Sequence, residues 1–286
     1  MQNKILIIGH KGMLGQELLK VFPDAVGIDR EKIDITNKKQ VENKLQEIKP
    51  EIVINAAAYN NVDACEELKN FELAKDINGY AVSYLADACK KIDAILIHYS
   101  TNYIFDGNKK EGYNEYDEPN PISKYATSKL LGEQEVLKRK NLKYYIIRLS
   151  KLFGQKGSSE MAKDNFFDII LKLAEEKKEL KIVDDELSNF TYAPDLVKFT
   201  KELIEKKYEF GIYHCVNENP CTWYEGAKTL FDILNKNVKL VRVNSDAFPR
   251  PAKRPKYAVL NNNKIQELRS YEDALREYLN NKIKNS

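Results

Sequence analysis

Groups that hold metals are scarce in this sequence, and so is any excess of one charge. Its 286 residues include three histidines, His10, His98 and His214, and four cysteines. Cys65, Cys89, Cys215 and Cys221 form no C-x-x-C pair and stand at no zinc spacing from a histidine, so no metal site is expected and the thiols read as reduced. Met1-Gln2-Asn3-Lys4 runs straight into Ile5-Leu6-Ile7-Ile8-Gly9, without the charged and apolar regions of a secretory leader. There is also no run of about 18 apolar residues. Both absences point to a cytoplasmic chain that makes no use of a membrane. Lys+Arg at 46 against Asp+Glu at 43 leaves a net charge of +3, too small a field to recruit nucleic acid. With 43% apolar residues, 12 Gly and 9 Pro, collagen-like and low-complexity chains are excluded as well.

What is present is alternation. Short apolar runs, Lys4-Ile8, Ala25-Ile28, Ile52-Asn55, Ala94-Ser100 and Tyr144-Leu149, read as buried parallel strands. Helical spacing fills the gaps: Met13-Phe22, Lys38-Ile48, Glu66-Lys91 and Ser123-Lys140. Strand and helix in turn predict an α/β fold with a Rossmann-type doubly wound parallel sheet over residues 1–155, a dinucleotide-binding domain that also carries the catalytic residues. Residues 156–286 are expected to form mainly a smaller C-terminal α/β substrate lobe, and the chain is free to cross between the two. Helices are placed near 163–177, 195–206, 223–235 and from 271, with strands at Leu180-Val183, Gly211-Val216 and Val238-Val243.

The first strand leads directly into Gly9-His10-Lys11-Gly12-Met13-Leu14-Gly15 and then a helix. Gly9 permits the tight turn, Gly12 bares the backbone to a pyrophosphate, and Gly15 lets the helix close on the strand with its amides toward the phosphates. Asp29 ends strand two, where a carboxylate accepts hydrogen bonds from an adenosine ribose. Arg30 follows, a partner for a 2′-phosphate. The cofactor is therefore NADPH or NADH.

Tyr125-Ala-Thr-Ser-Lys129 puts a phenol and an ammonium one helical turn apart, after Ser100-Thr101-Asn102-Tyr103 at the carboxyl end of a strand. Tyr224 and Lys228 have the same spacing but lie in the outer lobe. A ketone that receives hydride needs a proton at oxygen. Tyr125 can supply it if the Lys129 cation pulls its pKa down from about 10, while Thr101 steadies the carbonyl.

Further runs extend the pattern: Asp34-Ile35, Asn55-Ala56-Ala57-Ala58-Tyr59, Val62-Asp63, Ile104-Phe105-Asp106-Gly107, Phe190-Thr191-Tyr192-Ala193-Pro194-Asp195-Leu196, Gly211-Ile212-Tyr213-His214, Trp223-Tyr224 and Arg254-Pro255. In this order they resemble the dTDP-4-dehydrorhamnose reductase family of extended short-chain dehydrogenases. The resemblance implies that Gly12, Met13, Leu14, Asp29, Arg30, Asp34, Ile35, Ala57, Ala58 and Tyr59 touch the cofactor. It implies that Thr101, Tyr125 and Lys129 are catalytic, the last two also against the cofactor, and that Asn102 and Lys151 line the sugar site. Three departures stand out: Asn102 where the family has Asp, Lys151 where it has Trp, and Asn60 where it has Thr. Arg242, Arg250, Lys253, Arg254 and Lys256 form a basic loop suited to a diphosphate. The implied activity is NAD(P)H-dependent reduction of the 4-keto group of a nucleotide-activated deoxysugar, dTDP-4-dehydro-L-rhamnose first. A nucleotide-sugar epimerase or dehydratase, or a non-catalytic dinucleotide-binding regulatory subunit, are the alternatives. A homodimer is the expected assembly.

Overall fold

The computed structural model describes residues 4–284, so Met1-Gln2-Asn3, on which the expectation about a leader partly rests, and the last two residues lie outside it. In chain order the first half comprises β1 (Ile5–Ile8), α1 (Met13–Val21), β2 (Val26–Ile28), α2 (Lys38–Ile48), β3 (Ile52–Asn55), α3 (Leu68–Lys75), α4 (Ala81–Lys91), β4 (Ile95–Thr101), α5 (Lys124–Leu137) and β5 (Tyr144–Leu149). The second half comprises β6 (Leu152–Phe153), α6 (Phe166–Glu176), β7 (Glu179–Val183), β8 (Thr191–Tyr192), α7 (Ala193–Glu205), β9 (Gly211–His214), α8 (Trp223–Ile233), β10 (Lys239–Val243) and α9 (Tyr271–Lys284).

Six parallel strands make one sheet in the order β2-β1-β3-β4-β5-β9. Ile-Leu-Ile-Ile and Ile-Val-Ile-Asn are buried at every position, because helices cover both faces of the sheet. Alternate side chains serve the two layers. Leu6, Ile8, Val53 and Leu96 pack with α2 and α4 on one face, whereas Ile7, Ile54, Ile97 and Ile147 pack with Leu14, Leu18, Leu196 and Val197 of α1 and α7 on the other. From β1 the chain steps outward to β2 and returns to β3 on the opposite flank of β1. That reversal opens a crevice at the carboxyl ends of β1 and β3, where doubly wound sheets bind ligands. Register keeps the rims level, with Ile8 opposite both Ile28 and Asn55.

The outer lobe has a separate aromatic core of Phe153, Phe167, Phe190, Tyr192 and Tyr271, roofed by the parallel pair β7–β10 and by α6, α8 and α9. Two later elements belong to the sheet: α7 packs on it beside α1, and β9 pairs with β5 as its sixth strand. The predicted strand at 211–216 stops at His214. The predicted helix at 66–91 is also modified. It opens with a short 3-10 turn at Ala64–Glu66 and widens to a π-turn over Asp76–Tyr80 between α3 and α4.

Candidate active site

Gly9 sits at φ +82°, and a Cβ there would lie 2.7 Å from Ala57 N, so the turn and the loop after β3 can approach only through glycine. A Cβ on Gly15 would lie 2.2 Å from Gly9 O, so only glycine there allows α1 to close on the strand. Gly12 differs from both. It is the N-cap of α1, no side chain caps the helix, and a Cβ on it would meet only Gly9 O at 3.3 Å. No side chain caps the first amides of α1, and the side of Gly12 on which a Cβ would stand is open apart from Gly9 O, which fits a pyrophosphate. Asp29 braces this turn, its carboxylate accepting from Lys11 N–H at 3.3 Å and Arg30 N–H at 2.8 Å. Asp34 accepts from the Thr36 amide at 2.9 Å and hydroxyl at 2.7 Å, while Ile35 anchors its loop, and Leu14 the first turn of α1, in the core. Met13 packs partly buried against the same core layer as Leu14.

The loop Ala57-Ala58-Tyr59 across the crevice is held by two asparagines. Ala57 N–H donates to Asn55 Oδ1 at 3.2 Å, and Tyr59 N–H donates to Asn78 Oδ1 at 2.8 Å. The Asn78 amide donates in return to Tyr59 O at 3.0 Å and to Ser128 Oγ at 2.9 Å. Asn78 thus joins this loop to α5, and the sequence reading missed it. The available signal was Asn78-Gly79 in the middle of a helical run, where two poor helix formers need a local reason. The π-turn supplies that reason by carrying Asn78 toward the loop.

Thr101 ends β4 and its hydroxyl caps the following turn, accepting from Tyr103 N–H at 3.2 Å. Tyr125 enters from the first turn of α5, whose N-cap Ser123 accepts from Ala126 N–H at 3.3 Å. Its phenol donates to Asn60 Oδ1 at 3.4 Å, and its ring meets the edge of Tyr103 with centroids 6.3 Å apart. Lys129 follows one turn later, 3% exposed, with Nζ donating to Tyr99 O at 2.7 Å. The three predicted catalytic residues are therefore gathered at the carboxyl end of β4. Their electrostatics correct one expectation: burial pushes the Tyr125 phenol well up, the neighbouring Tyr103 and Cys65 add to it, and the Thr101 hydroxyl only partly opposes them. Lys129 does not pull the phenol down here. Burial instead lowers Lys129 itself to about 8, against the opposing pull of Glu133. Glu133 is spent on Arg148 of β5, 2.7 Å away in a fully buried pair.

Side chains predicted to meet the sugar nucleotide largely tie the lobes together. Asn102 donates to Ala258 O at 2.9 Å, and Arg254 grips Asp63 at 2.5 and 2.7 Å. That guanidinium lowers the Asp63 carboxyl, and the loop suited to a diphosphate is thereby latched over the sheet's rim. Lys151 lies 4.2 Å from the Trp223 ring centre and 5.0 Å from that of Phe190, with Nζ donating to Cys221 O at 3.0 Å. Burial brings its pKa down to about 8. A cation among aromatic faces replaces packing that a flat ring would otherwise supply.

The RmlD substrate binding domain model matches residues 3–284. The chain belongs to this family. Within it, the dTDP-4-dehydrorhamnose reductase of Aggregatibacter actinomycetemcomitans is 35% identical over 280 residues, covering 92% of each chain. The spore coat polysaccharide biosynthesis protein SpsK of Bacillus subtilis strain 168 is 34% identical over 285 residues, covering 97% of each. The crystal structure of the Bacillus anthracis Ames dTDP-4-dehydrorhamnose reductase in complex with NADP superposes with a TM-score of 0.92 at 35% identity, over 98% of this chain and 100% of that one. The family resemblance and the α/β fold read from the sequence are thus both established.

Proposed function

We propose that this chain uses NADPH or NADH to reduce the 4-keto group of a nucleotide-activated deoxysugar, converting dTDP-4-dehydro-L-rhamnose to dTDP-L-rhamnose. The observation that carries this reading is the gathering of Thr101, Tyr125 and Lys129 on the same sheet rim as the open glycine turn. When bound, the dinucleotide supplies the hydride. The protein's task is the oxygen. Tyr125, kept protonated by its burial, donates its proton to the C4 oxygen, and the Thr101 hydroxyl donates a hydrogen bond to that same atom. The Lys129 ammonium steadies the phenolate left behind and holds the nicotinamide ribose. Gly12 and the first amides of α1 hold the pyrophosphate, with Asp29 at the adenosine ribose. Met13, Leu14, Asp34, Ile35 and Ala57–Tyr59 form the walls.

A dehydratase needs an acid and a base beside Thr101. Asn102 and Tyr103 supply no carboxylate pair: the Asn102 amide is occupied by Ala258 O, and burial pushes the Tyr103 phenol up, away from service as a base. One chain carries every residue given a role, so the homodimer is an expectation for sedimentation to decide. Four free cysteines and the reduced dinucleotide fit a cytoplasmic enzyme, and among the described residues no helix is long and apolar enough to cross a membrane. The test is consumption of NADPH and of NADH with a panel of 4-keto nucleotide sugars. Turnover should be fastest with dTDP-4-dehydro-L-rhamnose. Dinucleotide binding with no turnover of any sugar would favour the non-catalytic subunit.

A further inference from the structure

Between β6 and α6 the chain runs as a strap across the glycine turn. Gly157 lies so close that a Cβ on it would sit 2.5 Å from Lys11 O, 2.8 Å from Gly12 C and 2.8 Å from Met13 N. Ser159 N–H donates to Lys11 O at 3.1 Å, and Lys20 of α1 donates to Gln155 at 3.2 Å. At the C-terminal end of the strap Asn165 caps α6 and donates to Gly154 O at 2.9 Å. Pinned in this way, the strap brings Glu160 Oε2 to 3.9 Å from Arg30 Nη2. Arg30 is the residue whose guanidinium would receive a 2′-phosphate. Asp29 and Glu31 flank it in sequence, Glu160 faces its guanidinium, and Lys11, whose amide Asp29 holds, is itself paired to Glu31.

We propose that Glu160 is a cofactor-discriminating residue: it engages Arg30 and adds negative charge where a 2′-phosphate must sit, so that NADPH, unlike NADH, binds only by taking Arg30 from it. This deepens the dinucleotide reading above and rests on it. A phosphate monoester brings roughly two negative charges and so competes directly with the carboxylate for the guanidinium, whereas a ribose hydroxyl does not.

The experiment is fluorescence titration of NADPH and NADH into the parent protein, Glu160→Gln, Glu160→Lys, Arg30→Ala and the Arg30→Ala/Glu160→Gln double variant. The Glu160 side chain is 92% exposed, so these replacements leave the fold intact. E160Q should raise the NADPH-to-NADH affinity ratio about two- to five-fold, the scale of one exposed ion pair, and E160K should raise it further. The gain should shrink at high salt and vanish in the Arg30→Ala background. A ratio unmoved by both Glu160 variants, or moved equally without Arg30, overturns the proposal. A parent protein that binds neither dinucleotide would remove the whole cofactor reading, whereas one that binds both with an unmoved ratio would remove only the role of Glu160.

Discussion

Replacing Lys129 by methionine should make the protein more stable and less active. Lys129 is 3% exposed, and burial holds it at about 8 rather than the ordinary 10.5. Keeping the charge there at neutral pH costs about 3 kcal/mol, from 1.36 kcal/mol per pH unit. Methionine removes that cost and fills similar volume, but it gives up the hydrogen bond to Tyr99 O, a loss of about 1 to 1.5 kcal/mol. The net expectation is a gain of about 2 kcal/mol, or roughly 4 to 8 °C in Tm for a chain of this size. The sign of the pH dependence follows from the lowered pKa. Below pH 8 the parent bears the full cost. Between about 8 and 10.5 its unfolded lysine keeps a proton that the folded one has lost, so the parent gains stability as pH rises and the variant's lead closes. Above that window the parent should lead through its retained hydrogen bond. Denaturant unfolding at pH 7, 9 and 10.5 reads this directly, since the other groups titrate alike in both proteins. A variant less stable than the parent at pH 7, or a gap that ignores pH, would refute the reasoning. Turnover should fall in the same variant, a case of stability given up at a functional site.

Gly12→Val should leave the circular dichroism spectrum unchanged and abolish NADPH binding, because the side chain would fill the open space at the N-terminus of α1; unchanged affinity would remove Gly12 from the phosphate site. Asn78→Ala leaves the Tyr59 amide and carbonyl without their buried partner and should cost about 2 to 4 kcal/mol in unfolding experiments. It should also raise the dinucleotide Kd by loosening Ala57–Tyr59, and stability lost with an unaltered Kd would make Asn78 purely structural.

The elements legible in the sequence are those fixed by local pattern. Ile52–Asn55, Tyr144–Leu149 and Lys38–Ile48 fall where their apolar spacing puts them, because a buried strand must be apolar on both faces and a surface helix on one. The glycine turn was legible because its glycines recur at a fixed spacing within a short stretch of chain, although the approach that Gly9 answers comes from Ala57, in the loop after β3. What escaped depends on residues far apart in sequence. Arg254 looked like a free cation for a diphosphate until the fold brought Asp63 to it across 191 residues. Burial is likewise a property of the whole fold, which is why the expected effect of Lys129 on Tyr125 gave way to desolvation of both. The strap over the glycine turn had no sequence signature, being irregular chain held by Gly157 and Ser159.

The most direct test of the account is turnover of dTDP-4-dehydro-L-rhamnose by Tyr125→Phe with dinucleotide affinity measured on the same sample. Phenylalanine keeps the ring against Tyr103 and removes only the proton that is to be donated. Tyr224→Phe is the matched control, since Tyr224 shares the spacing to a lysine but lies on α8 in the outer lobe, where Arg242 covers its ring at 4.5 Å. The account predicts intact dinucleotide binding, a fall in kcat of about 10²- to 10⁴-fold for Tyr125→Phe, and a control within a few-fold of the parent. Near-parental kcat in Tyr125→Phe would contradict it and assign the proton to another group.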